Sequence, residues 1–253
     1  MSELLLECKD LSFSYHTPEG EIPVITNMNF DIRKGEFVSI VGPSGCGKST
    51  LLNLLTNMLT PEDGYIHLHV DKDAKNSFGY MLQQDHLFEW YDIWKNICIG
   101  PKINQCLTPE CEEYLHDLVS RYGLTGFIHK KPSELSGGMR QRAAIIRTLA
   151  MKPELLYLDE PFSSLDYQSR LNAADDIGQI IYNEGKTAVL VTHDIGEAIS
   201  LSSRILVLSR RPTTIKKEFL LPFRSKNLKP LEIRNTKEFG EYFNAIWKEL
   251  NAT

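Results

Sequence analysis

A glycine-rich stretch with a single lysine is the part of the sequence best suited to chemistry. Residues 42–50 fit the pattern G-x-x-x-x-G-K-[ST], which binds phosphate groups. An apolar run at 37–41, predicted to be a buried strand, comes before them, and the leucine-rich start of a predicted helix, 51–55, follows. Glycines let backbone N–H groups turn towards a phosphate, and the helix start adds its positive dipole end. A plain glycine-rich turn beside a lysine is the alternative, and this context disfavours it.

Individual side chains of this loop have predicted roles. Lys48 reaches the β- and γ-phosphates, and the Ser49 hydroxyl is a ligand for Mg²⁺. Tyr15 either stacks on an adenine ring or packs within its own strand, and the residue type leaves both open. The predicted nucleotide-binding residues are Tyr15, Gly42, Pro43, Ser44, Gly45, Cys46, Gly47, Lys48, Ser49 and Thr50.

A second helix start suited to binding an anion lies later in the chain. Ser136 takes the N-cap position, and two glycines follow it ahead of an apolar helical pattern at 143–149. Two phosphate-ready helix starts in one chain require a single explanation.

Acidic residues and a histidine follow two buried strands. Asp159 ends the apolar run 155–158, where a carboxylate holds Mg²⁺, and Glu160 is placed to polarise an attacking water. An acidic turn after a strand is the alternative. His193 follows the run 187–191 and is a candidate contact of a γ-phosphate, although a lone histidine is more often structural.

Predicted elements around these motifs give an α/β chain. Two extended runs, within 4–15 and 22–32, precede the phosphate loop, and the first is expected to be interrupted near Lys9 and Asp10. The segment 86–131 has the aromatic and helical character of an insertion, with helical patterns through 93–99 and 109–122. Residues 87–91 form either a protein-docking surface or the small core of that insertion. His67 and His69 share a strand face and could form a metal pair. Because no third ligand is evident, an exposed strand face is the favoured interpretation.

Composition narrows the function classes. The 253 residues are 42% hydrophobic and 24% charged with a net charge of −5, and no long basic block supports nucleic-acid binding. No run is long enough to cross a bilayer or has the character of a signal peptide, so a membrane role is expected to come through a partner. The five cysteines form no C-x-x-C pair, which indicates free thiols in a reducing compartment.

These motifs, in this order, resemble those of the ATP-binding-cassette (ABC) ATPases over essentially the whole chain. The resemblance implies an α/β P-loop NTPase fold, with a mainly parallel core sheet, an antiparallel β subdomain and a helical subdomain insertion. It predicts one ABC ATPase domain over 1–253, divided into a core with the β subdomain (1–85 and 132–220), most of the helical subdomain (86–131) and a C-terminal tail with a helix (221–253).

The resemblance also assigns roles and explains the two helix starts. ATP is expected to lie between two chains, with the phosphate loop of one facing the signature motif of the other. The catalytic set is Glu160 as base, His193 as switch histidine and Gln83 of the Q-loop. The signature residues are Leu135, Ser136, Gly137, Gly138, Met139, Arg140 and Gln141. The D-loop residues are Ser164, Leu165 and Asp166, and the Mg²⁺ ligands are Ser49, Gln83 and Asp159.

Within the family, the sequence is most similar to the nitrate/sulfonate/taurine importer group. That similarity implies uptake of a small solute by a homodimer, or a dimer with a related cassette, at the cytoplasmic face of the membrane. A permease and, through it, an extracytoplasmic substrate-binding protein are the expected partners. The group's pattern is broken by Glu89, where proline is usual, by Asn57, where glycine is usual, and by Ser203, where aspartate is usual.

Two other functional interpretations stay open. An exporter or lipoprotein-release cassette has the same chemistry. A soluble ABC protein acting on DNA or ribosomes is disfavoured because tandem cassettes and long coiled-coil insertions are missing from the sequence.

Overall fold

The structure is a computed structural model, and it describes residues 3–70, 77–223 and 228–251. Its contacts divide the chain into two compact units, residues 1–75 with 185–253 and residues 76–184. The predicted domain boundaries at 85/86, 131/132 and 220/221 stay predictions. Residues 1–2, 71–76, 224–227 and 252–253 of those predicted domains lie outside the described residues.

Nine strands and nine α-helices, with two short 3₁₀ turns, occur in the described part of the chain. The strands are β1 (Leu4–Thr17), β2 (Gly20–Arg33), β3 (Phe37–Val41), β4 (Asp63–Leu68), β5 (Phe78–Met81), β6 (Leu155–Asp159), β7 (Thr187–Val191), β8 (Arg204–Leu208) and β9 (Ile215–Leu220). The helices are α1 (Lys48–Leu55), α2 (Ile93–Ile97), α3 (Ile99–Ile103), α4 (Pro109–Arg121), α5 (Gly137–Leu149), α6 (Tyr167–Asn183), α7 (Ile195–Leu201), α8 (Pro230–Arg234) and α9 (Lys237–Asn251).

An antiparallel sheet of the order β2-β1-β4 holds the first two predicted extended runs. The runs are longer than predicted, and β1 continues through the expected interruption instead of ending there. Its register against β2 shifts between Cys8 and Leu11, and Asp10 takes a φ of 49°. A local bulge therefore absorbs the polar residues without breaking the strand.

Parallel strands in the first unit position the phosphate loop. Strand β3 pairs with β7 on one side and with β8 on the other, both in parallel, and β9 closes the edge antiparallel to β8. Every residue of β3, β7 and β8 is buried, as expected of parallel strands covered on both faces. The loop 42–47 leaves the carboxyl end of β3, which is where ligands bind in open parallel sheets.

In the second unit, strands β5 and β6 pair in parallel, with Phe78 opposite Leu155. The helical character predicted for 86–131 is found as α2, α3 and α4. The predicted helix through 93–99 is instead two short helices that meet at Cys98, which caps the end of one and the start of the next.

A helix that was not predicted from the sequence lies in the C-terminal part of the first unit. The short α8 begins with Pro230. Hydrogen bonding between Lys229, the N-cap residue, and Glu232 caps its N-terminus. Proline at the first helical position followed by glutamate is a start signal that was available in the sequence. The predicted final helix is confirmed as α9, and its Ile246 is buried in a cluster with Phe223 and Ile233.

Two of the departures from the importer pattern have local explanations. Asn57 takes a φ of 59°, so it occupies the left-handed conformation that explains the usual glycine there. The Ser203 hydroxyl donates to the Phe37 carbonyl at 3.1 Å and so ties the start of β8 to β3. Among the described residues, no helix combines the length and apolar character needed to cross a membrane.

Candidate functional site

The phosphate loop runs from the end of β3 into α1, as predicted. Lys48 is the first residue of α1, and its ammonium group donates to the carbonyl oxygens of Gly42 at 2.9 Å and Pro43 at 3.1 Å. The side chain is buried, with 8% of its surface exposed. The Lys48 side chain therefore already lies against the loop in which it is predicted to bind phosphate.

Glycine is required at two positions of this loop. Gly45 and Gly47 take φ values of 72° and 115°, which other residues adopt only with strain. A Cβ atom on Gly47 would also lie 2.7 Å from Cγ1 of Val24, a residue of β2. The loop conformation and its close approach to β2 both follow from these glycines.

Tyr15 lies beside the first turn of α1. Its hydroxyl is 3.3 Å from the Thr50 hydroxyl, and its ring meets Phe13 edge-on at 5.1 Å between centroids. The side chain is 40% exposed, which leaves ring surface available to a planar group. The structure thus brings Tyr15 to the loop that follows it by some thirty residues, and its role in stacking stays a prediction.

The signature motif begins α5 in the second unit. The Ser136 hydroxyl accepts a hydrogen bond from the Met139 N–H at 3.4 Å and is the N-cap, as predicted. Ser136 is exposed, and Gly137 and Gly138 are partly exposed. The first N–H groups of a thirteen-residue helix are therefore presented at a surface, where an anion is favoured.

The two acidic residues at the end of β6 have different environments. Asp159 accepts a hydrogen bond from the Tyr80 hydroxyl at 3.2 Å, and burial and the nearby carboxylate raise the pKa of Tyr80. Glu160 has a φ of 43°, and its carbonyl accepts hydrogen bonds from the N–H and hydroxyl of Ser163 at 3.1 and 2.9 Å. A non-glycine residue adopts a positive φ at a cost in free energy, so the surrounding structure must hold Glu160 in this conformation.

Two further predicted residues, Asp166 and His193, lie close to helix starts. Asp166 is the N-cap of α6, and hydrogen bonds from the Ser169 side chain and from the Ser169 N–H lower the pKa of its carboxyl group. His193 is exposed in the turn between β7 and α7, next to the N-cap residue Asp194. The buried hydroxyl of Thr192 donates to Glu197 at 2.7 Å, which fixes this turn.

Residues 87–91 are partly buried and partly exposed, and their role as a docking surface stays a prediction. Leu87 is buried, whereas Trp90 is 68% exposed. Phe88 lies 5.0 Å from Trp90 and 6.0 Å from Tyr91 between ring centroids. Asn96, fully buried, donates to the Phe88 carbonyl and accepts from its N–H, so the exposed aromatic rings stand on a fixed backbone.

Arg140 of the signature motif makes contacts that the sequence reading missed. Its guanidinium binds Asp85 through two hydrogen bonds of 2.8 and 3.0 Å, and Glu89 at 2.9 Å. Two turns later on α5, Arg147 donates to the carbonyl oxygens of Asp85 and His86. The unusual Glu89 therefore adds a second carboxylate to the contacts of Arg140. Together, Arg140 and Arg147 hold residues 85–89 against α5, and we call these contacts the arginine clamp. The sequence contained no signal for this pairing beyond opposite charge.

Asp85 gives a test of this clamp. Burial is the largest single influence on its pKa and would raise it. The hydrogen bonds from Arg140 and from the Leu87 N–H, with the charges of Arg140 and Arg147, together outweigh burial and hold the pKa below the ordinary value. We expect Asp85→Asn to lower the free energy of unfolding by about 1–3 kcal/mol at pH 7. The wild type loses this contribution as the pH falls below about 4, because the carboxyl then takes up a proton. The difference in free energy of unfolding between the wild type and Asp85→Asn should therefore become smaller in acid.

Denaturant unfolding at a series of pH values measures the difference in free energy of unfolding between the two proteins. Asp117→Asn is the matched control, because Asp117 pairs with Arg121 at 2.6 Å but is 56% exposed. An exposed pair of this kind should change stability by no more than about 0.5 kcal/mol. Equal effects of the two substitutions, with no narrowing in acid, would show that the clamp contributes nothing.

Within the second unit, three predicted motifs come together. One cavity is lined by residues of the 83–91 segment, the signature motif and the D-loop, namely Gln84, Asp85, Gly137, Arg140, Ser164 and Leu165. A Cβ atom on Gly137 would lie 2.6 Å from Cδ2 of Leu165, so the glycine allows the D-loop to approach α5.

Comparison with known proteins gives consistent matches. The profile of the family described as ABC transporter matches residues 25–163. The "uncharacterized ABC transporter ATP-binding protein YtlC" of Bacillus subtilis is 41% identical over 98% of this chain and 96% of its own. The taurine import ATP-binding protein TauB of Roseobacter denitrificans is 34% identical over 96% of this chain and 94% of its own.

Solved structures agree with these sequences. The ATP-binding cassette MJ0796, in a dimeric post-hydrolysis state bound to ADP and Pi, superimposes with a TM-score of 0.69 at 30% identity, covering 86% of this chain and 99% of that one. The cbiO1 protein of Clostridium perfringens, part of the ABC transporter complex cbiONQ, gives 0.74 at 23% identity over 96% and 99% of the chains, which supports the fold.

The chain therefore belongs to the ABC transporter family of ATP-binding proteins. The fold class predicted from the motifs is confirmed, and the chain is an ABC ATPase that binds and hydrolyses ATP.

Proposed function

We propose that the chain is the ATP-hydrolysing subunit of an importer for a small anionic solute, of the class that includes sulfonates. Its near full-length similarity to taurine import ATP-binding proteins is the observation that carries this proposal. The motif set supports it, because every motif that the family needs for hydrolysis is present at its place in the sequence.

The first unit supplies the groups that bind ATP. Tyr15 stacks on the adenine, and the loop amides of 42–47 surround the phosphates. Lys48 exchanges its hydrogen bonds with loop carbonyls for the β- and γ-phosphates, since its ammonium lies at that loop already. Supporting this role, the loop geometry has its glycines in conformations suited to turning N–H groups inward.

Hydrolysis is assigned to three further side chains. Glu160 accepts hydrogen bonds from the attacking water and polarises it for in-line attack, and His193 and Gln83 orient the γ-phosphate and its surroundings. Positioning and charge neutralisation supply most of the rate enhancement in such transfers.

The residues assigned to Mg²⁺ fit that ion chemically. Ser49 offers a hydroxyl, Asp159 a carboxylate and Gln83 an amide carbonyl, and Mg²⁺ prefers oxygen ligands of these kinds. Ser49 and Gln83 are exposed, and Tyr80 fixes the orientation of the Asp159 carboxylate. When bound, the ion neutralises charge on the phosphates.

Two chains are needed for a complete site. Ser136, Gly137 and Gly138 of one chain contact the ATP held by the phosphate loop of another, in a homodimer or in a dimer with a related cassette. The N-terminus of α5 supports this assignment, since Ser136 is exposed and Gly137 and Gly138 are partly exposed there, where an anion from outside the chain can approach. ATP favours the closed dimer and hydrolysis releases it, which is a population shift.

The expected partners lie in and across the membrane. A permease loop docks on the segment 83–91, where exposed aromatic side chains on a fixed backbone provide a surface of the kind found at protein interfaces. The chain then acts at the cytoplasmic face of the membrane, and an extracytoplasmic binding protein delivers the solute to the permease. We assign no role in nucleic-acid binding.

Solute uptake tests the proposal. Cells that lack the gene should lose most of their uptake of labelled taurine or of a related sulfonate, and the wild-type gene should restore it. A gene carrying Lys48→Met should not. Unchanged uptake of every sulfonate and small anion tested, by cells that lack the gene, would reject the assigned substrate class, while phosphate release from Mg-ATP by the purified protein tests the ATPase separately.

A further inference from the structure

The phosphate loop is held from outside by a residue far away in sequence. Thr213 lies in the connection between β8 and β9, and its hydroxyl donates a hydrogen bond to the carbonyl oxygen of Cys46. Both groups are buried, with Thr213 fully enclosed. Thr213 lies outside the phosphate-loop motif, 167 positions after Cys46 in the sequence.

The backbone of Thr213 is fixed in turn by β2. Its N–H donates to the Val24 carbonyl at 2.8 Å, and its carbonyl accepts from the Thr26 N–H at 3.1 Å. The hydroxyl therefore extends from a strand-like backbone with two hydrogen bonds, not from a free loop. Such a group can impose an orientation on its partner instead of following it.

Peptide geometry connects this contact to phosphate binding. The Cys46–Gly47 peptide is trans, so its carbonyl and its N–H point in opposite directions. Holding the Cys46 carbonyl towards Thr213 aims the Gly47 N–H to the other side, away from β2. Gly47 has a φ of 115°, and glycines on this loop rotate at little cost, so the peptide needs an external anchor to keep one orientation.

We infer that Thr213 is a positioning residue for ATP binding, which fixes the Cys46–Gly47 peptide so that its N–H faces the phosphates. The inference rests on the phosphate-binding role proposed above for the loop. Lys48 donates to the Gly42 and Pro43 carbonyls at the start of the loop, and in the proposed function it exchanges those bonds for the phosphates of ATP. Thr213 continues to hold the far end of the loop.

Removing the hydroxyl while keeping the shape tests the inference. Thr213→Val should weaken ADP binding, measured by calorimetry on the full chain, by about 5- to 20-fold. The KM for ATP should rise by a similar factor with kcat changed less than about 2-fold, because the hydroxyl touches no reacting atom. Thr213→Ser keeps the hydroxyl and should bind ADP within about 2-fold of the wild type.

Controls separate this effect from general damage. Thr214→Val makes the same change at the next, exposed residue and should leave ADP binding unchanged. Thr213→Ala is measured alongside Thr213→Val, with thermal unfolding of each variant, in case the added methyl group disturbs packing. Wild-type affinity in either folded variant, or equal weakening by Thr213→Ser, overturns the inference. A wild-type protein that binds no ADP rejects the proposed role of the loop instead.

Discussion

Glu160→Gln is expected to lower the rate of ATP hydrolysis by at least about 100-fold, because the amide no longer accepts the proton of the attacking water. ATP binding should persist, since the substitution is isosteric and leaves the phosphate loop untouched. The closed dimer should then accumulate, because the γ-phosphate that stabilises it is no longer removed.

Phosphate release and the ATP-dependent molecular mass by light scattering measure the two parts of this prediction. Glu154→Gln is the control, because it makes the same change of charge at an exposed residue. Glu154 directly precedes β6, whereas Glu160 directly follows it. It should hydrolyse ATP at the wild-type rate and form no trapped dimer. Wild-type turnover in Glu160→Gln would remove Glu160 from the catalytic set.

Mixing two inactive variants should restore ATP hydrolysis, and this is the second large effect. Lys48→Met removes the lysine from the phosphate loop, and Ser136→Asp places a negative charge where the signature motif is proposed to meet ATP. Aspartate is as good an N-cap as serine, so α5 should stay intact. Each variant alone should lose about 100-fold or more in rate, through lost or opposed charge stabilisation.

In a mixed dimer the two defects fall in one site. The Lys48→Met loop faces the Ser136→Asp motif, and the other site combines a normal loop with a normal signature motif. With equal amounts, about half of the dimers are mixed and each has one intact site, so about a quarter of the wild-type rate should return if the sites work independently. A site formed within one chain would predict no recovery.

Native mass spectrometry of the mixture provides the check on assembly. If mixed dimers are observed and hydrolysis stays at the level of the separate variants, the assignment of Ser136 to the neighbouring chain's ATP is wrong. If Ser136→Asp by itself hydrolyses ATP normally, Ser136 has no contact with the phosphates in either chain.

Local patterns determined the motifs and most of the elements around them. The Ser136 N-cap, the buried strand before Asp159 and the phosphate loop between β3 and α1 were all predicted, because each depends on residues a few positions apart. Hydrogen bonds that span one helical turn, and the apolar character of a buried strand, can be recognised from a single short segment.

Errors arose where several outcomes were locally acceptable. The predicted helix through 93–99 became two short helices, and β1 continued through its polar interruption by a bulge. The small helix α8 was missed, although Pro230 and Glu232 provided a start signal. Element ends depend on what the neighbouring chain segments require, which short-range preference does not specify.

The class of chemistry in this protein was predictable from short motifs. A phosphate loop, a serine-capped glycine pair and a carboxylate after a buried strand indicate phosphate binding through residue type and spacing, and the resemblance of the ordered set to ABC ATPases implied hydrolysis. The side chains that hold those motifs in place became evident from the folded chain. Arg140 meets Asp85 across 55 positions and Thr213 meets Cys46 across 167, and Asn57 shows that the left-handed backbone persists where the usual glycine is replaced. Such pairings follow from how strands and helices pack, because side chains distant in sequence meet only after the chain has folded.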